Sequence, residues 1–169
     1  DKPSWMTRFD VLRDMRRILW GKKIGHTGNL DPLATGVLVV ETGNYTKLIS
    51  YVEKDSKTYI ATIMLNGSSA SLDRDTEINY ISDTEQHKFQ NKITTALIEK
   101  TLSENFSWTI MQIPPKYSAL KINGKRALDR TLAGEEIEMK ARQATILYTK
   151  ILSFEYPKLE LEVSVTAWT

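Results

Sequence analysis

One glycine-rich stretch near the start of the chain constrains its structure most strongly. Residues 25–38 read GHTGNLDPLATGVL, so that glycines and a proline surround the single carboxylate of Asp31. Glycine and proline in such a cluster are typical of tight turns, and the apolar run Gly36 to Thr42 that follows predicts a buried strand. A carboxylate on a turn braced by a strand can be held rigidly and still reach a ligand. An isolated Asp in a turn more often bonds the local backbone, so the turn alone leaves a structural role for Asp31 open.

Composition places the chain among ordinary globular proteins. Its 169 residues are 41% hydrophobic and 26% charged, which predicts one domain over residues 1–169 with a hydrophobic core. The absence of an apolar run of about 18 residues predicts no membrane span. The first residues lack the apolar core of a signal peptide, so we expect a cytoplasmic protein. With no Cys and two His, neither disulfides nor a metal site are expected.

Charge is distributed unevenly along a chain whose net charge is only +2. Residues 1–58 carry ten Lys or Arg against seven Asp or Glu, residues 59–115 carry four against seven, and residues 116–169 carry nine against seven. Two basic regions around an acidic middle are consistent with a groove that binds phosphates. From charge alone, ordinary solvated surfaces are the commoner explanation.

Hydrophobic periodicity predicts a chain of strands interspersed with helices. Thr7 and Asp10 have the spacing of a capping box, and the helix that follows should bury Phe9, Leu12, Met15 and Leu19. The other predicted elements are a helix at 46–54, a strand at 57–65, a polar loop at 66–75, a long helix within 84–106, a strand at 118–122 with a turn at Asn123–Gly124, a helix at 125–133, and strands at 144–155 and 158–165. This order predicts an α+β domain with a mixed, largely antiparallel sheet and flanking helices.

Four motifs resemble those of one enzyme family and occur in that family's order. The stretch 25–38 closely resembles the signature loop of the bacterial tRNA pseudouridine synthases of the TruB type. Three further matches cover much of the remaining chain: Lys2-Pro3 with Met6-Thr7 near the start, Lys57-Thr58-Tyr59, and the Pro-Pro and Tyr-Ser-Ala-Leu-Lys segment within 113–125. The resemblance implies the catalytic fold of pseudouridine synthases.

The resemblance also implies a reaction, the cofactor-free isomerisation of a uridine at position 55 in the T-loop of tRNA. The glycosidic bond between C1′ and N1 breaks, the base turns, and C5 joins C1′. Asp31 is the implied nucleophile, acting at C6 of the base or at the sugar. Tyr59 is the implied ring that stacks on the flipped-out base and helps to move the C5 proton. Without the motif, Tyr59 would be read as a sheet-core aromatic.

The remaining implied site residues would bind the RNA. His26 would help to hold the uridine flipped out, although an isolated His in such a loop is more often a local hydrogen bonder. Gly25 and Gly28 would allow positive φ or a close backbone approach to RNA. Two roles are equally open for Tyr117: support of the protein core and contact with the RNA. The full substrate-binding set is His26, Gly25, Thr27, Gly28, Leu30, Lys2, Tyr117 and Lys121.

Two departures from the family pattern bear on function. Trp5 stands where the family usually has Gly, within the first motif. The sequence stops at Thr169, before the family's Tyr-Ile-Arg run and its C-terminal RNA-binding extension, so we expect an incomplete catalytic domain. The four Trp residues could stack on bases, although burial is commoner for Trp; they are Trp5, Trp20, Trp108 and Trp168.

The expected partner is the T-arm of tRNA, bound by a monomer without an obligatory protein partner, a membrane or a cofactor. The first alternative is an RNA-binding or tRNA-folding module that has lost catalysis. A second is a guide-RNA-dependent synthase, whose loop is similar, although Thr27 and the run Leu33-Ala34-Thr35 favour the stand-alone bacterial type. A third is a structural domain with no RNA role.

Overall fold

The computed structural model describes residues 1–52 and 56–166, and the chain divides into two compact units, Asp1–Asp55 and Ser56–Thr169. Each unit has its own strands and helices. The expectation of a single catalytic domain over residues 1–169 stays a prediction.

The first unit is built around a short antiparallel pair of strands. Ile24 lies opposite Thr42 and Thr27 opposite Val39, so the whole glycine-rich stretch from residue 28 to 38 is the connection between these two strands. The elements in chain order are α1 (Arg8–Ile18), β1 (Ile24–Thr27), β2 (Val39–Thr42), a 3-10 helix (Gly43–Leu48) and α2 (Ile49–Val52).

The capping box that begins α1 is confirmed, but its apolar stripe is narrower than predicted. The Thr7 hydroxyl accepts a hydrogen bond from the Asp10 amide at 3.2 Å, and the Asp10 carboxylate accepts one from the Thr7 amide at 2.9 Å. Leu12 is buried as expected. The predicted burial of Phe9 is wrong: the residue is 58% exposed, and the Arg8 guanidinium lies 4.8 Å from the centre of its ring as a cation–π pair at the surface.

Two other predicted elements of this unit are shorter than expected. The strand predicted from Gly36 begins only at Val39 and is half-buried, because Gly36 instead forms an isolated backbone bridge with Lys2. The helix predicted at 46–54 is a 3-10 turn that passes into α2, and Leu48 at the end of the 3-10 turn is exposed. Lys54, at the predicted end of that helix, lies outside the described residues.

The second unit contains a four-stranded sheet whose neighbours are all antiparallel, which confirms the predicted α+β class. Its strand order is β3-β10-β9-β6. The elements are β3 (Lys57–Met64), β4 (Gly67–Ser69), β5 (Ile78–Tyr80), α3 (Asp83–Gln90), α4 (Thr95–Asn105), β6 (Trp108–Gln112), β7 (Lys121–Ile122), β8 (Lys125–Arg126), α5 (Ala127–Leu132), β9 (Arg142–Glu155) and β10 (Lys158–Val165).

The core of this unit lies between one face of the sheet and α4. Strands β9 and β10 form a long hairpin, as predicted, and α4 covers its apolar face. A groove of about 410 Å³ remains between the helix and the sheet, lined by apolar side chains of both and by the threonines Thr101 and Thr149. The buried apolar side chains of α4, β9 and β10 are Ile98, Ala144, Ile146, Leu159, Leu161 and Val165.

The structure corrects several predictions for the second unit and adds one strand. The strand predicted at 118–122 covers only Lys121–Ile122, and the helix predicted at 125–133 begins at Ala127 because Lys125–Arg126 form β8. The long helix within 84–106 is two helices, because α3 ends at Gln90 and the Thr94 hydroxyl starts α4 by accepting from the Leu97 amide at 3.2 Å. The predicted polar loop at 66–75 contains β4, which pairs with β5. Strand β6, which was not predicted, forms one edge of the sheet.

Two classes of feature are absent from the described ranges. No helix within residues 1–52 and 56–166 is both long and apolar enough to cross a membrane. In the same residues, no three His, Cys, Asp or Glu side chains are grouped so that they could hold a metal ion.

Candidate active site

The carboxylate of Asp31 lies at an exposed turn between β1 and β2. The Asp31 carbonyl accepts a hydrogen bond from the Ala34 amide at 3.1 Å, which closes the turn from Asp31 to Ala34. Pro32 and Leu33 within this turn are half-buried. The turn therefore presents its acidic side chain to solvent while the residues that follow pack inward.

A short segment at the start of the chain holds this turn. We call residues 2–6 the N-terminal clamp. The Trp5 amide donates to the Pro32 carbonyl at 2.7 Å, and the Ser4 hydroxyl donates to the Leu33 carbonyl at 2.9 Å. At the far end, Lys2 and Gly36 exchange two backbone hydrogen bonds of 2.7 and 3.3 Å. The clamp thus bonds to the turn and to the residues after it at four points.

The ammonium group of Lys2 reinforces the clamp from inside. Lys2 is only 1% exposed, and its Nζ donates to the carbonyls of Pro3 at 3.0 Å, Met6 at 2.8 Å and Pro32 at 3.0 Å. A lysine is rarely buried, and an ammonium has three donors, all of which find acceptors here. The side chain therefore ties the clamp to the residue beside Asp31. Its assignment to substrate binding stays a prediction.

His26 and Gly28 fix the path of the chain ahead of the turn. The Nδ1 atom of His26 lies 2.9 Å from the Gly28 carbonyl oxygen; because a carbonyl can only accept, Nδ1 carries the proton in this bond. In the neutral ring, Nε2 is then left as an acceptor. Gly28 has φ +74°, a conformation that favours glycine.

Gly25 is required for a different reason. A Cβ atom built on Gly25 would overlap the Ile49 Cδ1 atom and lie 3.5 Å from Thr46 Cγ2. The close approach that was expected at this residue is therefore one to neighbouring protein side chains. Thr27 and Leu30, the other predicted members of the set in this stretch, are half-buried.

The remaining predicted site residues belong to the second unit. Tyr59 lies on β3 opposite Val163 of β10 and is 38% exposed. Its position in the strand places it on the same face as Ala61 and Ile63, the apolar face of the sheet. The strand predicted over 57–65 is therefore present, and Tyr59 lies on its apolar face.

Tyr117 and Lys121 lie on a segment that is fastened to α5. Lys121 is exposed at the start of β7, and Tyr117 is half-buried before it. The amides of Ala127 and Leu128 donate to the carbonyls of Leu120 and Ser118 at 2.7 and 3.1 Å. The predicted turn is present at Asn123 and Gly124, with φ +51° and +83°, values typical of a two-residue hairpin turn.

The structure thus brings together the predicted residues of the first unit around the Asp31 turn, and those near residue 117 along one segment of the second. Sequence reasoning left Ser4 and Trp5 out of the site, although both bond directly to the turn. The signal available was the presence of Trp where the resembled family has Gly. Trp168 lies outside the described residues.

The apolar groove beside α4 is not a candidate active site. It is lined almost entirely by hydrocarbon, with side chains such as Leu97, Phe106 and Leu161. None of the predicted site residues lines it. It offers no carboxylate and no base for chemistry.

Comparison with known proteins gives matches over nearly the whole chain. The family model described as TruB family pseudouridylate synthase (N terminal domain) matches residues 16–169. The chain is 39% identical to tRNA pseudouridine synthase B of Parabacteroides distasonis, over 96% of this chain and 69% of that protein. It is 38% identical to tRNA pseudouridine synthase B of Clostridium kluyveri, over 100% of this chain and 56% of that protein. The chain therefore spans between about half and about two thirds of these relatives' length.

A solved structure has a similar fold. The chain superposes on one chain of an H/ACA RNP bound to a substrate RNA containing 2′-deoxyuridine with a TM-score of 0.65 and 22% identity. The match covers 100% of this chain and 37% of the other. At this identity the likeness concerns the fold alone.

Proposed function

The chain belongs to the TruB family of pseudouridylate synthases, and from this membership we propose that it isomerises uridine to pseudouridine at position 55 in the T-loop of tRNA. The proposed substrate-binding partner is the T-arm, engaged by a monomer in the cytoplasm. The observation that carries the proposal is the exposed carboxylate of Asp31 on a turn that the N-terminal clamp and the buried ammonium of Lys2 hold in place.

Asp31 is assigned the nucleophilic step. Its carboxylate adds to C6 of the uracil or to C1′ of the ribose, and the bond between C1′ and N1 breaks. The base turns, C5 forms a bond to C1′, and the carboxylate leaves. The proton from C5 passes to solvent and N1 takes one up, so the product is an isomer of the substrate. A nucleophile of this kind gains from a rigid turn, because a small misplacement of a reacting atom is costly.

Tyr59 and His26 are assigned supporting roles. We assign Tyr59 two roles: its ring stacks on the extruded base, and the residue assists loss of the C5 proton. The Nε2 atom of His26 is left as an acceptor by the Nδ1 contact with Gly28, and we assign it an RNA contact that favours the extruded uridine. Replacing Tyr59 with Phe should keep the stacking and slow the proton step, whereas Leu should impair both.

Release of tritium from tRNA labelled at C5 of uridine tests the proposal. The wild-type chain should release tritium, and Asp31→Asn and Asp31→Ala should lower the rate at least about a thousandfold. Asp83→Asn, which alters an exposed carboxylate at the start of α3, is the matched control and should keep full activity. A fully active Asp31→Ala variant would end the proposal.

The same assay separates catalysis from binding alone. If the chain binds tRNA but the wild type releases no tritium, the proposed activity is wrong and the RNA-binding alternative holds. Membership of a synthase family favours the enzyme over that alternative.

A further inference from the structure

Trp5 has an unusual conformation for a large side chain. Its φ is +66°, in the left-handed region where a Cβ atom crowds the following carbonyl and where bulky residues are rare. Burial of the side chain does not offset this unfavourable backbone conformation, since the residue is 71% exposed. The chain therefore holds an indole in solvent at a position that glycine would occupy with less strain.

The backbone of Trp5 is bonded to the turn that carries the proposed nucleophile. Its amide donates to the Pro32 carbonyl at 2.7 Å, and the residue before it, Ser4, bonds the Leu33 carbonyl. Two further contacts fix the same place, because Lys2 Nζ donates to both the Pro32 and the Met6 carbonyls. The indole and the exposed Asp31 therefore project from two segments that are directly hydrogen bonded to each other.

Exposure of an indole and a positive φ are not sufficient to indicate a binding residue. Trp20 is 94% exposed with φ +57°, but its amide bonds the Arg17 carbonyl at 3.4 Å, at the end of α1. What distinguishes Trp5 is its bond to the Asp31 turn.

We propose that Trp5 stacks on a nucleotide base beside the target uridine and so contributes to RNA affinity; this rests on the proposed function. When a base leaves its stack, the faces of its neighbours are exposed and need new partners. An indole is a large stacking surface that tolerates any base, since every base has a π-face. Its backbone is already fixed by the clamp, so little ordering is required on binding.

Steady-state kinetics of three variants test the proposal. Trp5→Gly should raise the KM for tRNA about tenfold, in the range expected for loss of one stacked base, and change kcat less than about twofold. Trp5→Tyr retains a ring and should restore KM to within about threefold of wild type. Trp20→Gly removes an equally exposed indole at a similar φ and should leave both constants unchanged. Trp5→Gly should also unfold at the wild-type temperature or slightly above it, because glycine relieves the left-handed backbone.

Fluorescence gives a readout that a structural role would not move. In a chain where Trp20, Trp108 and Trp168 are replaced by Phe, Trp5 is the only indole. Titration with an RNA hairpin of the T-arm should quench and shift its emission. The hairpin concentration at half-maximal quenching should equal the dissociation constant of the complex. The same hairpin should quench the emission of an Asp31→Asn version equally, because stacking does not need the nucleophile.

The outcomes separate this inference from the proposed function. Turnover by the wild type with an unchanged KM in Trp5→Gly overturns the inference alone. A fall in kcat at constant KM that Tyr does not rescue also overturns it, because Trp5 would then serve only the clamp. Quenching by the hairpin without turnover by the wild type overturns the proposed activity and keeps the contact.

Discussion

At the scale of single residues, the buried ammonium of Lys2 is the group that most directly connects the stability of the fold to the position of the turn that carries Asp31. It satisfies three backbone carbonyls, those of Pro3, Met6 and Pro32. Removing it leaves buried acceptors without donors, which costs more than the hydrogen bonds contribute while intact.

We expect Lys2→Met to lower the free energy of unfolding by about 3 kcal/mol and to lower kcat for tritium release, because the turn beside Pro32 loses its internal support. Urea titration and the tritium assay measure the two effects. Lys22→Met, at an exposed lysine, is the matched control and should change neither. Equal stability of the two variants would show that the clamp does not need the ammonium.

A second prediction concerns the close approach at Gly25. A Cβ on this residue would overlap the terminal methyl of Ile49, so Gly25→Ala should destabilise the chain by about 1–2 kcal/mol. Ile49→Val removes that methyl. The double variant Gly25→Ala with Ile49→Val should therefore be more stable than the sum of the single effects predicts, as measured by urea unfolding of all four chains. Strict additivity would contradict the packing described for this glycine.

At single residues, the sequence predicted those features that are determined by neighbours within a few positions along the chain. The turn at Asp31 follows from its neighbouring glycine and proline, which restrict the backbone within a few residues. The burial of Lys2 does not, because its three acceptors include Pro32, thirty positions away. Its hydrophilic side chain gave no sign of burial, and in the same way nothing local predicted that Phe9 would be exposed.

At the scale of elements, capping boxes begin both α1, with Thr7 and Asp10, and α3, with Ser82 and Glu85, and they couple helix stability to pH. Hydrogen bonds from the hydroxyl and then the backbone amide of Thr7 hold the pKa of Asp10 below its ordinary value. The Ser82 hydroxyl and amide do the same to the pKa of Glu85. A carboxyl whose pKa is lowered by folding stabilises the fold above its unfolded pKa, about 4, and that contribution is lost as the pH falls through the lower folded pKa.

We therefore expect Thr7→Ala to raise the pKa of Asp10 towards its ordinary value, followed by NMR titration of the Asp10 carboxyl carbon. The stability of α1 should then depend less on pH in the acid range, since folding lowers the pKa of Asp10 by less once the hydroxyl is gone and only the backbone amide of residue 7 and Arg13 remain. Glu85 serves as an internal control, because its partner Ser82 is untouched in this variant. A pKa of Asp10 that does not move in Thr7→Ala would contradict the bond between them.

The elements that could be predicted were those with an uninterrupted pattern. Strand β3 and the β9–β10 hairpin alternate over eight or more residues, and both α1 and the turn at Asn123 carry local start or turn signals. The helix within 84–106 was predicted too long because apolar residues continue at helical spacing across the break at 91–94. Strand β6 has apolar residues at the successive positions Ile110 and Met111, so no alternation identified it.

At the scale of the whole molecule, fold class was predictable and strand order was not. Alternating strands and helices with a final antiparallel pair are enough to indicate an α+β protein. The pairing of the edge strand β3 with β10, however, joins Lys57 to Val165. No local pattern specifies a partner at that separation, because each strand presents the same kind of apolar face to any neighbour. The resemblance to a known family was what supplied the fold as a whole.

The distribution of charge leads to a last prediction. The chain carries 23 basic and 21 acidic residues, so the proposed attraction to RNA has to come from local clusters of charge and not from the net charge. The hairpin of β7 and β8 exposes Lys121, Lys125 and Arg126, whereas Lys88 and Lys92 lie in the acidic middle of the sequence. Charge reversals of equal size at these two places distinguish the effect of a local basic cluster on RNA binding from the effect of the protein's net charge.

We expect the double variant Lys125→Glu with Arg126→Glu to weaken tRNA binding and to reduce the slope of log affinity against log salt by about 2, one for each lost phosphate contact. Lys88→Glu with Lys92→Glu changes the net charge by the same amount and should leave the slope unchanged. Binding isotherms at several salt concentrations measure both. If the two variants lose affinity equally, the attraction depends on net charge and the β7–β8 hairpin does not contact the phosphates. If only the variant at Lys125 and Arg126 loses affinity, the hairpin is part of the RNA-binding surface although the protein as a whole is nearly neutral.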